Sequence, residues 1–172
     1  DIRHLTLESL RSKLSYVPQD GFLFSTTIRD NIAFSDRSAS QTEVEAPAKQ
    51  AMIFDNIIQF PKRFDTPLGE RGVTLSGGQR QRTSLARGLM KKAPLLILDD
   101  SMSAVDAVTE TGILNSLKKE RKNKSTLIIS HRISAVKHAD LIVVLEEGRI
   151  VEQGSHRQLM SLGGQYASLA RI

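Results

Sequence analysis

The run Leu75-Ser-Gly-Gly-Gln79 combines residue types that suit close approach to a phosphate. Gly77 and Gly78 carry no side chain to hold an anion away from the backbone, and the stretch from Gln79 to about Met90 reads as a helix. Amides at a helix start lack intrahelical acceptors and carry partial positive charge, which makes Ser76, Gly77, Gly78 and Gln79 a candidate anion-binding turn. Two further groups follow in the chain. Asp99 and Asp100 close the apolar run Leu95-Leu-Ile-Leu, and Ser130-His131 closes the run Thr126–Ile129. A carboxylate at a strand end can hold a divalent cation through water, and an imidazole can reach a phosphate oxygen. Taken singly, Ser-Gly-Gly is an ordinary loop, Asp99 a possible helix cap and His131 a possible surface histidine. Their order along one chain favours phosphate chemistry.

The elements that must position these groups change character along the sequence. Leu14–Val17 is a short strand closed by Pro18. Residues Ser25 to Lys62 read as helical, interrupted near Phe34–Ser40 and ended at Pro61. From Pro94 onward, apolar runs (Leu95–Leu98, Thr126–Ile129, Leu141–Leu145) alternate with helical stretches at Ala107–Arg121 and Arg132–His138. That alternation predicts an α/β fold with a parallel sheet covered on both faces, its ligands lying beyond the carboxyl ends of the strands. Glu146-Glu-Gly-Arg149 predicts a turn into an antiparallel edge hairpin through Ile150–Glu152, and His156 to Leu169 a last helix. Gly88 inside the helix after Gln79 should cost about 1 kcal/mol against alanine; the sequence offers no reason for it.

Size and composition exclude several classes. The 172 residues, 40% hydrophobic and 25% charged, suffice for a cored domain. No apolar stretch approaches the roughly 20 residues of a membrane-crossing helix. With no cysteine there are no disulfides or thiolate metal sites. The net charge of +5 is dispersed, and its densest cluster, Lys118 to Lys124, looks like a solvated helix end, so no nucleic-acid partner is expected.

In these residues the chain resembles the ATP-binding-cassette (ABC) ATPase family over nearly its whole length. Leu75–Gln79 is similar to the signature motif, Leu95–Asp99 to Walker B, Ser103–Asp106 to the D-loop, His131 to the switch histidine and Val17-Pro-Gln19 to the Q-loop. Phe24–Ile32 and Thr66–Gly72 resemble exporter segments that lie near the coupling helices of a membrane domain, the second being the X-loop. The resemblance implies a P-loop NTPase-like parallel core with an inserted helical subdomain at about 20–85, residues 1–19 and 86–172 forming the α/β core of one partial domain. It implies ATP and Mg²⁺ as ligands. Catalytic roles fall to Asp100, His131 and Gln19, nucleotide contacts to Ser76, Gly77, Gly78, Gln79 and Asp106, and metal contacts to Asp99 and Gln19. It further implies a second nucleotide-binding domain as partner, a transmembrane domain fused upstream, and a place on the cytoplasmic face of a membrane.

Two departures from the family pattern shape the expected mechanism. None of the eleven glycines is followed by lysine, so the phosphate-cradling Gly-Lys-Ser/Thr loop is absent, and Asp1-Ile2-Arg3 resembles a stretch downstream of it. The chain is therefore expected to be a fragment, inactive alone. Asp100 stands where the family usually has a glutamate, which retracts the carboxylate by about 1.5 Å. A misplacement of about 1 Å can cost on the order of 10²-fold in rate. The pattern resembles the degenerate-site half of a heterodimeric exporter, with Ser76–Gln79 serving the partner's competent site. Two rivals remain open at this point: a DNA-repair or chromosome-maintenance ATPase of the same family, and a non-catalytic dimerisation module. Glu70 and Arg71 could relay contact to a membrane subunit, or form a surface ion pair worth under about 1 kcal/mol. Asp106 could equally cap the helix that follows it. His4, His138 and His156 offer no partner in the sequence and read as structural or exposed.

Overall fold

Three parallel strands organise the amino-terminal part of the chain in a computed structural model that describes residues 1–69 and 74–171. The chain forms two compact units, Asp1–Ile129 and Ser130–Ile172, each with its own core. Among the described residues, no helix is long and apolar enough to cross a membrane.

In the first unit, a 3₁₀ turn at Ile2–His4 and helix α1 (Leu7–Ser12), capped by Thr6, lead into strand β1 (Leu14–Val17). The region Ser25–Lys62 is helical in pieces: α2 (Ile28–Ile32), α3 (Gln41–Gln50) and α4 (Phe54–Ile57). The break before α3 falls where expected, and Ser40 and Glu43 close a capping box there. A second break, at Ala51–Ile53, was not expected; Met52 turns left-handed there, with φ 53°. Helix α5 (Gly77–Met90) starts two residues earlier than expected, at the first glycine of the diglycine pair. Strand β2 (Leu95–Asp99), helix α6 (Ala107–Glu120) and strand β3 (Ser125–Ile129) complete the unit.

The sheet order is β1-β2-β3, all parallel, with Val17 opposite Leu98 and Asp99 opposite Ile129. Their carboxyl ends therefore share one edge. Leu96 and Leu98 are fully buried in the same core as Leu85, Ala86, Leu89, Ile113 and Leu117. The opposite face is different. Leu95 and Ile97 are half-buried there, while Tyr16, Leu127 and Ile129 are about half exposed. The expected two-sided covering thus holds for one face among the described residues. At the other edge of the sheet, Arg121 donates to the carbonyls of Ala93, Pro94 and Ser125 and to Thr126 Oγ1, at 2.9–3.3 Å.

In the second unit, α7 (Ile133–Val136) precedes the antiparallel hairpin β4 (Ile142–Glu146) and β5 (Arg149–Gly154). Glu147 and Gly148, both with positive φ, make its two-residue turn, the backbone that matches strand twist. The expected single last helix is two, α8 (His156–Leu162) and α9 (Gln165–Leu169), because Gly163 adopts φ 66° and ends α8. Ile142, Leu159 and Tyr166 form this unit's core, and His156 Nδ1 lies 2.8 Å from Tyr166 Oη, a partner the sequence did not reveal.

Candidate functional site

The carboxyl edge of the parallel sheet carries Gln19, Asp99 and Asp100 of the polar groups singled out in the sequence. Asp99 is the last residue of β2, and its Oδ2 accepts a 2.7 Å hydrogen bond from Tyr16 Oη on β1. Tyr16 pairs with Ile97 in the register, so its ring lies on the same face as Asp99 and reaches along it. The bond to Asp99, then desolvation and the carboxylate's charge, push the Tyr16 phenol above its usual pKa. The side chain that caps α6 is that of Asp106, not Asp99.

Asp100 follows in a left-handed conformation, φ 43°, while its N–H still donates to the Ile129 carbonyl at 2.8 Å. Aspartate is among the few non-glycine residues that visit this region readily. Gln19, two residues past β1, donates Nε2 to Asp100 Oδ2 over a long 3.3 Å. The Gln19 amide and the second acid therefore meet, as their strand ends required. Ser101, next in the turn, is 2% exposed, and its Oγ has no hydrogen-bond partner among the described residues.

The candidate anion-binding turn Ser76–Gln79 sits at the start of α5. Ser76 Oγ accepts from Gln79 N at 3.2 Å and Gln79 Oε1 accepts from Ser76 N at 2.9 Å, a reciprocal capping box. The amides of Gly77 and Gly78, first in the helix, have no intrahelical acceptor by construction. A Cβ on Gly78 would stand 2.8 Å from the Ala104 carbonyl oxygen, so glycine there lets the turn carrying Asp106 press onto the helix. Asp106 Oδ1 accepts from Thr109 N at 2.9 Å, and that backbone bond, first among its causes, holds its pKa below the ordinary carboxylate value.

Three side chains that the sequence reading passed over hold these segments together. Gln81, 7% exposed, bonds to Ser103 Oγ, the Ala104 amide and the Gln19 carbonyl. Arg87 donates to the Asn31 carbonyl (2.9 Å), Asn31 Oδ1 (2.7 Å) and the Phe22 carbonyl (3.0 Å), and lies over the Phe24 and Phe34 rings. Burial pushes its pKa down. Arg82 bonds to the Gly78 and Met52 carbonyls. Gln81, Arg82 and Arg87 themselves were the available signal: polar residues at positions a buried helix face would otherwise fill with apolar ones.

His131 belongs to the second unit, exposed and directly past β3 in the chain, and the neighbouring Ser130 Oγ accepts from Arg132 N at 3.0 Å. Glu70, Arg71 and the end of the Thr66–Gly72 segment lie outside the described residues.

Mg²⁺ needs hard oxygen donors but only one or two carboxylates, since it keeps waters and binds substrate phosphates. Asp99 and Gln19 offer that kind of donor set at one edge. No group of three or more acidic, histidine or cysteine side chains suited to a metal occurs among the described residues, as a site completed by phosphate and water does not require one. The residues fit the ion.

A family model described as "ABC transporter" matches residues 1–103. An ATP-dependent lipid A-core flippase of Legionella pneumophila (strain Paris) is 47% identical over 171 residues, which cover 99% of this chain and 29% of that protein. The probable multidrug resistance ABC transporter ATP-binding/permease protein YheI of Bacillus subtilis (strain 168) is 46% identical over 165 residues, 96% of this chain and 28% of that one. A solved structure, of a bacterial Atm1-family ABC exporter with ATP bound, aligns at TM-score 0.94 and 45% identity over 99% of this chain and 30% of that chain. The chain thus spans under a third of the length of the relatives it matches.

Proposed function

Because the chain belongs to the ABC transporter family, we propose that it binds and hydrolyses ATP, with Mg²⁺, to power export across a membrane. The observation that supports this reading is the meeting of Gln19 with Asp100, beside Asp99, at the carboxyl edge of a parallel sheet. In the transporter that contains it, the chain works with a transmembrane domain, at the cytoplasmic face, and with a second nucleotide-binding domain.

Asp99 and Gln19 would hold Mg²⁺, which when bound neutralises charge on the transferring phosphoryl group. Asp100 and Gln19 would orient the attacking water, the Asp100 carboxylate would take its proton, and His131 would hold phosphate oxygens. Ser76, Gly77, Gly78 and Gln79, with Asp106, face the partner's nucleotide, so each ATP is enclosed by two subunits. Capping explains why Ser76 and Gln79 arrive preset: their side chains fix each other before any ligand does.

Asp100 is a short acid for its task, so this half is the slower one of a heterodimer. Its contact to Gln19 is already long. Asp100→Glu in the complete transporter is expected to raise ATP turnover at this site, by up to about 10²-fold. Single-site turnover is read by silencing the partner's site and measuring phosphate release. An unchanged rate would refute the degenerate-site assignment, and no nucleotide-dependent activity in either protein would refute the ATPase reading.

A further inference from the structure

One carboxamide, that of Gln81, touches segments that serve two different nucleotides in the crossed arrangement proposed above, on which this inference rests. Its Nε2 donates to Ser103 Oγ at 3.0 Å and to the Gln19 carbonyl at 3.4 Å, and its Oε1 accepts from Ala104 N at 2.8 Å. The side chain is buried, which shields these bonds from competing water. Backbone packing converges on the same place. A Cβ on Gly21 would stand 3.1 Å from Arg80 C and Gln81 N, and one on Gly78 would stand 2.8 Å from Ala104 O. The Gln19 loop and the Ser103–Asp106 turn therefore both rest on the first two turns of α5, with Gln81 between them.

We propose that Gln81 is a positioning residue that makes the Gln19 loop, the Ser103–Asp106 turn and the start of α5 move as one body. Closure on nucleotide at one site then sets the groups that serve the other. Only a carboxamide meets the demand, with N–H donors toward Gln19 and Ser103 and an acceptor toward Ala104. A carboxylate keeps the bond to the Ala104 amide but confronts the Gln19 carbonyl with a second acceptor. An aliphatic side chain loses all three bonds.

The test follows hydrogen exchange in the membrane-embedded transporter as Mg²⁺ and a non-hydrolysable ATP analogue are titrated into the parent, Gln81→Glu and Gln81→Leu. Peptides covering residues 19–23 and 101–106 report the two segments. In the parent both gain protection at the same midpoint concentration. In both variants the midpoints separate by about fivefold or more, the size of a modest coupling between sites. Turnover is expected to fall about tenfold in kcat with KM for ATP changed less than about twofold, as for a group that aligns rather than grips substrate. Without nucleotide, residues 101–106 in Gln81→Glu exchange as in the parent, because the acceptor for Ala104 N remains. If Gln81→Leu does not fold, the isosteric Gln81→Glu decides alone. Coincident midpoints in a folded variant overturn the proposal, as does a kcat within about twofold of the parent. A parent that shows no nucleotide-dependent protection in either segment overturns the ATP-site reading first, and this proposal with it.

Discussion

Replacing Gly88 with alanine is expected to destabilise the chain, against the direction that helix propensity alone would give. Gly88 lies near the carboxyl end of α5, where alanine should gain about 1 kcal/mol. The new Cβ, however, would run into Val17 Cγ2 and stand 3.4 Å from Ser15 Oγ and 3.9 Å from Leu96 Cδ1. Val17 is 1% exposed and branched at Cβ, with one stiff torsion, so it cannot swing aside. The strain must go into the spacing of α5 and β1, at about 1–3 kcal/mol. Moving the helix also loosens the 2.7 Å bond from Ser15 Oγ to the Gly88 carbonyl, worth about 1 kcal/mol. Overpacking wins, and the net loss is about 1–3 kcal/mol. In a domain of this size that lowers Tm by about 3–10 °C. Urea and thermal unfolding of the parent, Gly88→Ala, Val17→Ala and the double variant would measure it. The cycle should show that the two residues interact by about 1 kcal/mol or more, since truncating Val17 makes room for the methyl. Gly88→Ala at or above parent stability, or an additive cycle, would refute the reasoning. The same shift is expected to disturb the proposed site, because β1 leads to Gln19 and α5 begins directly after Ser76.

Two further outcomes follow from the turn between β2 and α6. Asp106→Asn keeps a capping side chain but removes its charge. The Asp106 pKa is depressed in the folded chain, so its contribution is present above the unfolded value near about 4 and is lost as pH falls through the folded value. The stability difference between parent and variant should therefore shrink as pH drops from about 5 toward about 2 in chemical unfolding; a pH-independent difference would count against it. Ser101→Ala removes a buried hydroxyl that has no hydrogen-bond partner among the described residues, so it should be neutral or stabilise by about 1 kcal/mol. A loss of more than about 1 kcal/mol in unfolding would show that Ser101 Oγ is engaged.

Leu14–Val17 was readable only as a strand, and Leu141–Leu145, read with the parallel runs, pairs antiparallel with β5 instead. Leu95–Leu98 and Thr126–Ile129 were readable as parallel strands because β-branched and aliphatic residues cluster between helical stretches, and β1 joins them. Their parallel pairing then brings Gln19 and Asp99-Asp100 to one edge. Less readable were the left-handed residues. Met52 carries no side chain that announces positive φ, and the aspartate at 100 permits it without requiring it, so the break after α3 and the turn after β2 were not visible. Gly163 did announce it, but a glycine in a helical pattern is equally compatible with an unbroken helix. Gly88 had no reason in the sequence, since its reason is Val17, 71 positions away and in contact only once β1 and α5 have packed. Gln81 and Arg87 escaped for the same cause: a polar residue on a helix says nothing of which distant carbonyls it will meet.

Asp100 turns through φ 43°, a region open to aspartate and asparagine but less welcoming to longer side chains. Lengthening the acid to speed chemistry therefore asks the backbone for a shape that glutamate holds less willingly, on the order of 1 kcal/mol worse. Variants at this residue would drift apart in the laboratory: a screen for yield would discard some of those that a screen for turnover would keep.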